Sequence, residues 1–375
     1  MFPKPLTNVN ELTDHWLEKM LCQKLKSKVN LNSWSYKLPE SKQGFLSEIF
    51  FVTTNFSDSN KDESCRLVFK ILPVSPEHLK LVKQGNHANR ETKFYQMIIQ
   101  DEFVNILKKS DPKIYLPEIF FASIDDEGDS CTIVMEDVGQ FNYKMDLLKE
   151  GSSLQQTINI VRSISVIHAA GIICNDIVKD KKEFQEEYEL DPFFVPSLKQ
   201  LSKKYSDYSW APLFNDMIPI SKQVKSIKDR YPLFKTLIHG DLWTGNCLFN
   251  SNEDSVCIID WQFCEYGNPV CDLASMFCMS CDEDMLEKQL DVILKCYWDS
   301  FCANLQIAHI APPVSYREFE KSLQDHWMIG FLNLSCSFEQ FVANNILTEE
   351  RMIGVMNFLQ KKNVFDKFIQ DSKKC

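Results

Sequence analysis

The chain has 375 residues, 44% of them hydrophobic and 25% charged, with a formal net charge of −11. This is the balance of a folded globular protein, not of a disordered one, and the acidic surplus excludes a general nucleic-acid binder, which carries a basic stripe. The length admits two ordinary domains or one bilobal unit with its site in the cleft.

Fourteen cysteines suit a disulfide framework only in an oxidising compartment. The opening stretch MFPKPLTNVNELTDHWLEKM has no signal-peptide core, and no later run reaches membrane-spanning length. The expectation is therefore the reducing cytosol (a cytoplasmic protein), free thiols and no membrane insertion. Cys278 and Cys281 form a lone C-x-x-C with no second pair, so zinc spacing is missing.

In chain order, Leu12, Trp16, Leu17, Met20, Leu21 and Leu25 share one face of a helix predicted over residues 10 to 27. Short β-type runs follow at 33–37, 46–53 and 66–72, the last stopped by Pro73. A helix is predicted over 88–107. "IFFASI" and "CTIVMED" then flank the acidic turn Asp125-Asp126-Glu127-Gly128-Asp129, a hairpin pattern.

After Gly139 the periodicity turns helical. "SLQQTINIVRSISVIHAAG" (153–171) ends on a glycine stop, and helical patterns continue from 181 to 230. Residues 237–262 return to strand, turn, strand, and 270–370 is again mainly helical. The expected fold is α+β and bilobal. A small β-rich N-lobe with an N-terminal helix (1–138) is expected to precede a larger, mainly helical C-lobe (139–375), with a cleft at the joint. Ligands prefer the cleft at such a joint.

The polar residues of "LIHGDLWTGNCLF" (237–249) sit between two apolar, strand-like ends. Asp241 is followed five positions on by Asn246, and "VCIIDWQ" puts Asp260 nineteen positions after Asp241. This is the spacing that kinase chemistry requires: one carboxylate orients or deprotonates the acceptor hydroxyl, while an amide oxygen and a second carboxylate hold Mg²⁺. Mg²⁺ is a hard cation that wants oxygen ligands and leaves room for water and phosphate. Upstream, Lys70 in "RLVFKILP" is placed to reach nucleotide phosphates, with Glu91 on the next helix to fix its direction. Gly44 and Ser47 in "KQGFLSEIFF" are expected to form a glycine-poor turn over the phosphates, and the backbone at Glu136 to Val138, in "VMEDVGQ", to face the adenine edge.

The order of Lys70 in "VFKILP", Glu91 in "NRETKFY", "VMEDV", "IHAAG", "HGDLWTGN", "IIDWQ" and "GNPVCDLA" resembles the aminoglycoside-phosphotransferase and choline-kinase superfamily. Within it, the chain is most similar to the ecdysteroid-kinase-like, or choline-kinase-like (CHK), group over residues 30 to 345. The resemblance implies a protein-kinase-like fold with ATP in the cleft, Asp241 as catalytic base, and Asn246 and Asp260 on Mg²⁺. Gly240 stands where a protein kinase carries arginine, and Gln262 stands where its glycine follows the metal aspartate. Only twelve positions separate Asp260 from Asp272, with no A-P-E after it, which leaves no activation segment for docking a peptide.

Other polar and aromatic residues near these motifs are read as follows. His239 and His168 read as braces of loop and helix, and Asp272 as an acceptor for loop backbone. Trp243 either lines the acceptor site or packs under the loop. Phe193, Phe194, Tyr205, Tyr208, Trp210, Tyr297, Trp298 and Trp327 form either helical core or an apolar pocket for a sterol-like alcohol. The acidic run around 181–191 is a solvated face or a cationic-acceptor site.

Together these point to an ATP- and Mg²⁺-dependent kinase with a small-molecule alcohol acceptor and no nucleic-acid partner. The alternative is a catalytically silent nucleotide-binding or scaffold protein on the same fold. No motif specifies an oligomeric state.

Overall fold

The computed structural model describes residues 3–39, 46–59, 61–146, 149–185, 191–224, 227, 231, 233–250 and 255–373. The fold is α+β, with a sheet in the N-terminal region and helices dominating the C-terminal region.

Helix α1 (Asp14–Leu25) starts at Thr13, whose side chain accepts the Trp16 N–H. Five strands follow, β1 (Val29–Lys37), β2 (Glu48–Asp58), β3 (Lys61–Ile71), β4 (Ile119–Ile124) and β5 (Cys131–Glu136). They form one antiparallel sheet in the order β1-β2-β3-β5-β4. Alternation along β3 decides its two faces. Leu67, Phe69 and Ile71 join Trp16, Leu17 and Phe50 in the core beneath α1. Lys70, between Phe69 and Ile71, is thereby sent to the opposite face.

That opposite face is covered by a helical stretch running from β3 to β4. It is built of α2 (Pro76–Gln84), α3 (His87–Ile98) and α4 (Asp101–Lys109). Phe94 and Tyr95 of α3 belong to the large core that continues into the helical region. The single helix expected over 88–107 is thus two, broken at Ile99 and Gln100. Asp101 and Glu102 open the second, where negative charge suits the positive end of a helix.

Helix α5 (Leu154–Ile173) carries a capping box, Ser153 with Gln156. It is long and apolar enough to cross a membrane, but two-thirds of its most apolar stretch is buried inside the protein. It is a core helix, packed against the helix Leu290–Ile307 and the short strand β6 (Thr236–Ile238). Strands β7 (Cys247–Asn250) and β8 (Ser255–Ile258) form a hairpin, and β9 (Glu265–Gly267) pairs with β6. The loops between these short strands hold the polar residues of the central motif.

Of the eight aromatic residues with two readings, Phe194, Tyr205, Trp210, Tyr297, Trp298 and Trp327 are buried and Phe193 and Tyr208 are exposed. The six buried ones belong to the core of the helical region.

Candidate active site

β6 is short and wholly buried, and the chain leaves it through His239, Gly240 and Asp241. Gly240 has φ +82°, and a Cβ there would lie 2.2 Å from the Phe263 carbonyl oxygen. Both the left-handed backbone and the close approach demand glycine. Asp272, fully buried on the helix Val270–Ser280, accepts the backbone N–H groups of His239 (2.7 Å) and Gly240 (2.8 Å). It also accepts from His168 Nε2 at 3.1 Å, and Tyr297 Oη fixes His168 Nδ1 at 2.7 Å. Burial alone would raise the Asp272 carboxyl, but the hydrogen bond and charge of His168 hold it below its ordinary value. It stays an acceptor for the loop.

His239 braces the same turn. Its Nδ1 accepts the Asp241 N–H (3.2 Å), so the proton sits on Nε2, which donates to the Ile259 carbonyl (2.9 Å). Burial lowers the His239 pKa and keeps the ring neutral. Thr244–Asn246 then makes a 3-10 turn. Asn246 donates from its side-chain amide to Asp241, to the backbone carbonyl (2.8 Å) and to Oδ2 (3.1 Å), and its own backbone carbonyl accepts the Ile259 N–H (2.9 Å). With the NH₂ spent on Asp241, the amide oxygen is the group Asn246 has to offer a cation.

Asp260 follows β8 with φ +63°, a left-handed conformation that aspartate tolerates better than most residues. Its Oδ1 lies 2.5 Å from Lys70 Nζ, and Lys70 also pairs with Glu91 at 2.7 Å. The side chains of Lys70 and Glu91 are 11% and 3% exposed and that of Asp260 24%, so only the aspartate opens toward solvent. Burial would drive a proton off Lys70, but the two carboxylates outweigh it and hold its pKa above the ordinary value.

The sequence-predicted residues therefore divide. Lys70, Glu91 and Asp260 form one ion-paired cluster, and Asp241 and Asn246 form a second cluster tied to it through Ile259 and through the charge of Asp260 on Asp241. Ser47 is buried at the start of β2 and lines the same small cavity as Lys70, Glu91, His87 and Gln262. At the end of β5, Glu136 N–H is taken by the Glu118 carbonyl and its Oε2 by Tyr115 Oη (2.6 Å). Val138 is buried and begins the short 3-10 turn Val138–Phe141. Gly44 lies outside the described residues, as do Glu186, Glu187 and Glu189 of the acidic run.

The donors fit a hard divalent cation. With all three carboxylates ionised, the single ammonium of Lys70 would leave two negative charges in excess. Burial, with the charge of Asp260, pushes the Asp241 carboxyl up to about 7. A divalent cation relieves that crowding, and the oxygens of Asp260 and Asn246 suit Mg²⁺ where cysteine or histidine would not. Among the described residues no group of three or more His, Cys, Asp or Glu is arranged to hold a metal ion by itself.

Three residues escaped the sequence reading: His87, Arg90 and Phe94, all on α3 and all against the chain that follows Asp260. Their spacing of three, then four, placed them on one helix face beside Glu91, but nothing in it named the loop they would meet. Trp243 packs against Phe341 (centroids 4.6 Å apart, planes tilted by 31°) with its ring against Gly245, where a Cβ would fall 2.2 Å from it. It is half-buried, and packing explains its position.

A β-sheet region over a helical region, with a lysine–glutamate pair on the sheet and two carboxylates on adjoining loops, is the layout of the kinase-like class. The profile of the ecdysteroid kinase-like family matches residues 41–310, and the chain belongs to that family. Among solved structures it is similar to an ethanolamine kinase of Plasmodium vivax, at 11% identity over 98% of this chain and 93% of that one, TM-score 0.47. It is also similar to the aminoglycoside phosphotransferase APH(3'')-Id of Streptomyces rimosus in complex with ADP and streptomycin, at 11% identity over 75% and 90%, TM-score 0.39. Comparison with curated proteins gives no match.

Proposed function

We propose that the protein is a small-molecule kinase that transfers the γ-phosphoryl group of ATP to a hydroxyl of a small organic acceptor. One observation carries this: Lys70, Glu91 and Asp260 meet within hydrogen-bond distance beside the Asp241–Asn246 pair, although Asp260 is 190 positions from Lys70. Family membership supports the same reading.

Asp241 is held by Asn246 and by the loop that Asp272 anchors, so its carboxylate has one direction in which to meet an acceptor hydroxyl. It takes the proton as the hydroxyl oxygen bonds to the γ-phosphorus and the bond to the bridging oxygen breaks, releasing ADP. Lys70, aligned by Glu91, neutralises phosphate charge. Ser47, Gly44 and the backbone from Glu136 to Val138 bind the rest of the nucleotide. Asn246 and Asp260 would hold Mg²⁺, which supplies charge neutralisation at the transferred phosphate. The chemistry needs positioning and electrostatics more than covalent catalysis, so these residues suffice.

The thirteen described cysteines are free, which suits a reducing compartment and thus a cytoplasmic site of action. The acceptor is a small alcohol. The buried aromatics of the helical region serve as core, so the wall of its site falls to residues near Asp241.

Incubation with γ-labelled ATP and a fractionated metabolite and lipid extract tests the proposal. Magnesium-dependent label in a small-molecule fraction is expected. Stabilisation by ATP and Mg²⁺ with no label in any fraction would favour a silent nucleotide-binding protein, and label on polypeptide would make it a protein kinase.

A further inference from the structure

Helix α3 does more than carry Glu91. On one face it presents His87, Arg90, Glu91 and Phe94, a spacing that sets them side by side. Each meets the chain immediately after Asp260. Glu91 accepts the Trp261 backbone N–H in addition to its bond with Lys70. Phe94 lies flat on the Trp261 ring, with centroids 3.9 Å apart and planes 8° from parallel. His87 Nδ1 is 3.3 Å from the Gln262 carbonyl oxygen, and its ring is 4.4 Å from that of Phe263. Arg90, fully buried, donates to the Cys264 carbonyl (3.4 Å), and the Cys264 thiol returns a contact to the Arg90 carbonyl (3.7 Å).

Four consecutive residues, 261 to 264, are therefore gripped from one side by α3. From the other side the Phe263 carbonyl closes on Gly240, and the His239 ring lies 4.5 Å from Trp261. Asp260 sits at the head of this segment in its left-handed conformation, φ +63°. A residue persists there only where its surroundings over-determine it, and here they come from α3 and the loop before Asp241.

We propose that Arg90 and Phe94 are positioning residues for Asp260: α3 sets the direction of the metal ligand through the backbone of 261–264 while it aligns Lys70 through Glu91. This rests on the reading of Asp260 as a Mg²⁺ ligand. It follows that the lysine and the metal ligand are placed by one rigid helix, and that Mg²⁺ affinity depends on side chains that never touch the ion. Removal of such supporting contacts costs about 10–100-fold in metal affinity.

The test is a Mg²⁺ titration of thermal stabilisation at fixed ATP, for wild type, Arg90→Met, Arg90→Lys and Phe94→Leu. In Arg90→Met and Phe94→Leu the half-maximal Mg²⁺ concentration should rise about 10–100-fold, with stabilisation by metal-free ATP unchanged and with partial recovery in Arg90→Lys. If Arg90→Met does not fold, Phe94→Leu, which keeps most of the apolar volume, carries the comparison. A wild-type Mg²⁺ requirement in the variants, with the loss confined to the unliganded melting temperature, would overturn the inference and leave the kinase reading standing. Absence of any Mg²⁺-dependent stabilisation in wild type would remove the metal-ligand reading and the inference with it.

Discussion

Lys70 and Asp260, 190 positions apart in the chain, are in direct contact, Nζ to Oδ1 at 2.5 Å. The ammonium that would meet nucleotide phosphates thus already holds the proposed metal ligand, and Glu91 holds the ammonium from the other side. Three charges share one centre, with Lys70 paired to both carboxylates.

Lys70→Met should leave Glu91 and Asp260 adjacent with no cation between them. Breaking a buried pair in this way costs about 3–5 kcal/mol, read from urea unfolding. Adding Glu91→Gln to Lys70→Met should recover part of the loss, because one of the stranded charges is gone. Strict additivity of the two single effects would contradict the shared centre.

Asp272→Ala should strand the N–H groups of His239 and Gly240 and unseat His168. A loss of about 3–5 kcal/mol is expected for removing one member of a buried charged network. Urea denaturation beside Asn333→Ala, a half-buried control whose amide bonds Ser275, would show whether the effect is special to Asp272.

Gly240→Ala should be costly for two separate reasons, a positive φ and a Cβ 2.2 Å from a backbone oxygen. Strain of this kind costs about 1–3 kcal/mol before any clash is counted. Transfer activity should fall further than stability does, since Asp241 is the next residue. A variant with normal melting and normal turnover would show that the loop does not need this close approach.

His87 gives a pH dependence with a definite sign. Burial lowers its pKa from 6.5 to about 4, with Arg90 and Lys70 adding to the effect while the Gln262 carbonyl and Asp260 oppose it. The folded state keeps the ring neutral where the unfolded chain takes a proton. The stability linked to His87 is therefore full above pH 6.5, falls as pH drops from 6.5 toward 4, and levels off below. The whole span is worth about 3 kcal/mol. His87→Gln should flatten that part of the unfolding free energy against pH, and an identical slope in wild type and variant would contradict it.

Much of this site was legible in the chain. Apolar residues on either side of Lys70 placed it opposite the α1 core. The spacing of Asp241 and Asn246 matched a tight turn, and Asp260 stood at the end of an apolar run. These signals are local, set by alternation and by turn chemistry. The contacts of His87, Arg90 and Phe94 are not local: Arg90 meets Cys264 across 174 positions, and helical periodicity says that a face is covered without saying by what. The outer ends of β2 and β3 were missed for a related reason. Residues 54–58 and 61–65 pair across the sheet with exposed polar side chains among them, so the ladder is held by backbone bonds that leave little hydrophobic trace. Helix α2, directly after the Pro73 stop, is mostly exposed and buries only Val82 fully, which gave periodicity little to act on.

The most direct measurement is to compare ATP binding and phosphoryl transfer in Asp241→Asn, at saturating Mg²⁺ and with whichever acceptor fraction takes label from wild type. If Asp241 receives the hydroxyl proton, ATP should bind nearly as in wild type while transfer falls by about 10²–10⁴-fold. Binding and transfer both near wild type would contradict the assignment of Asp241 as the base of this site.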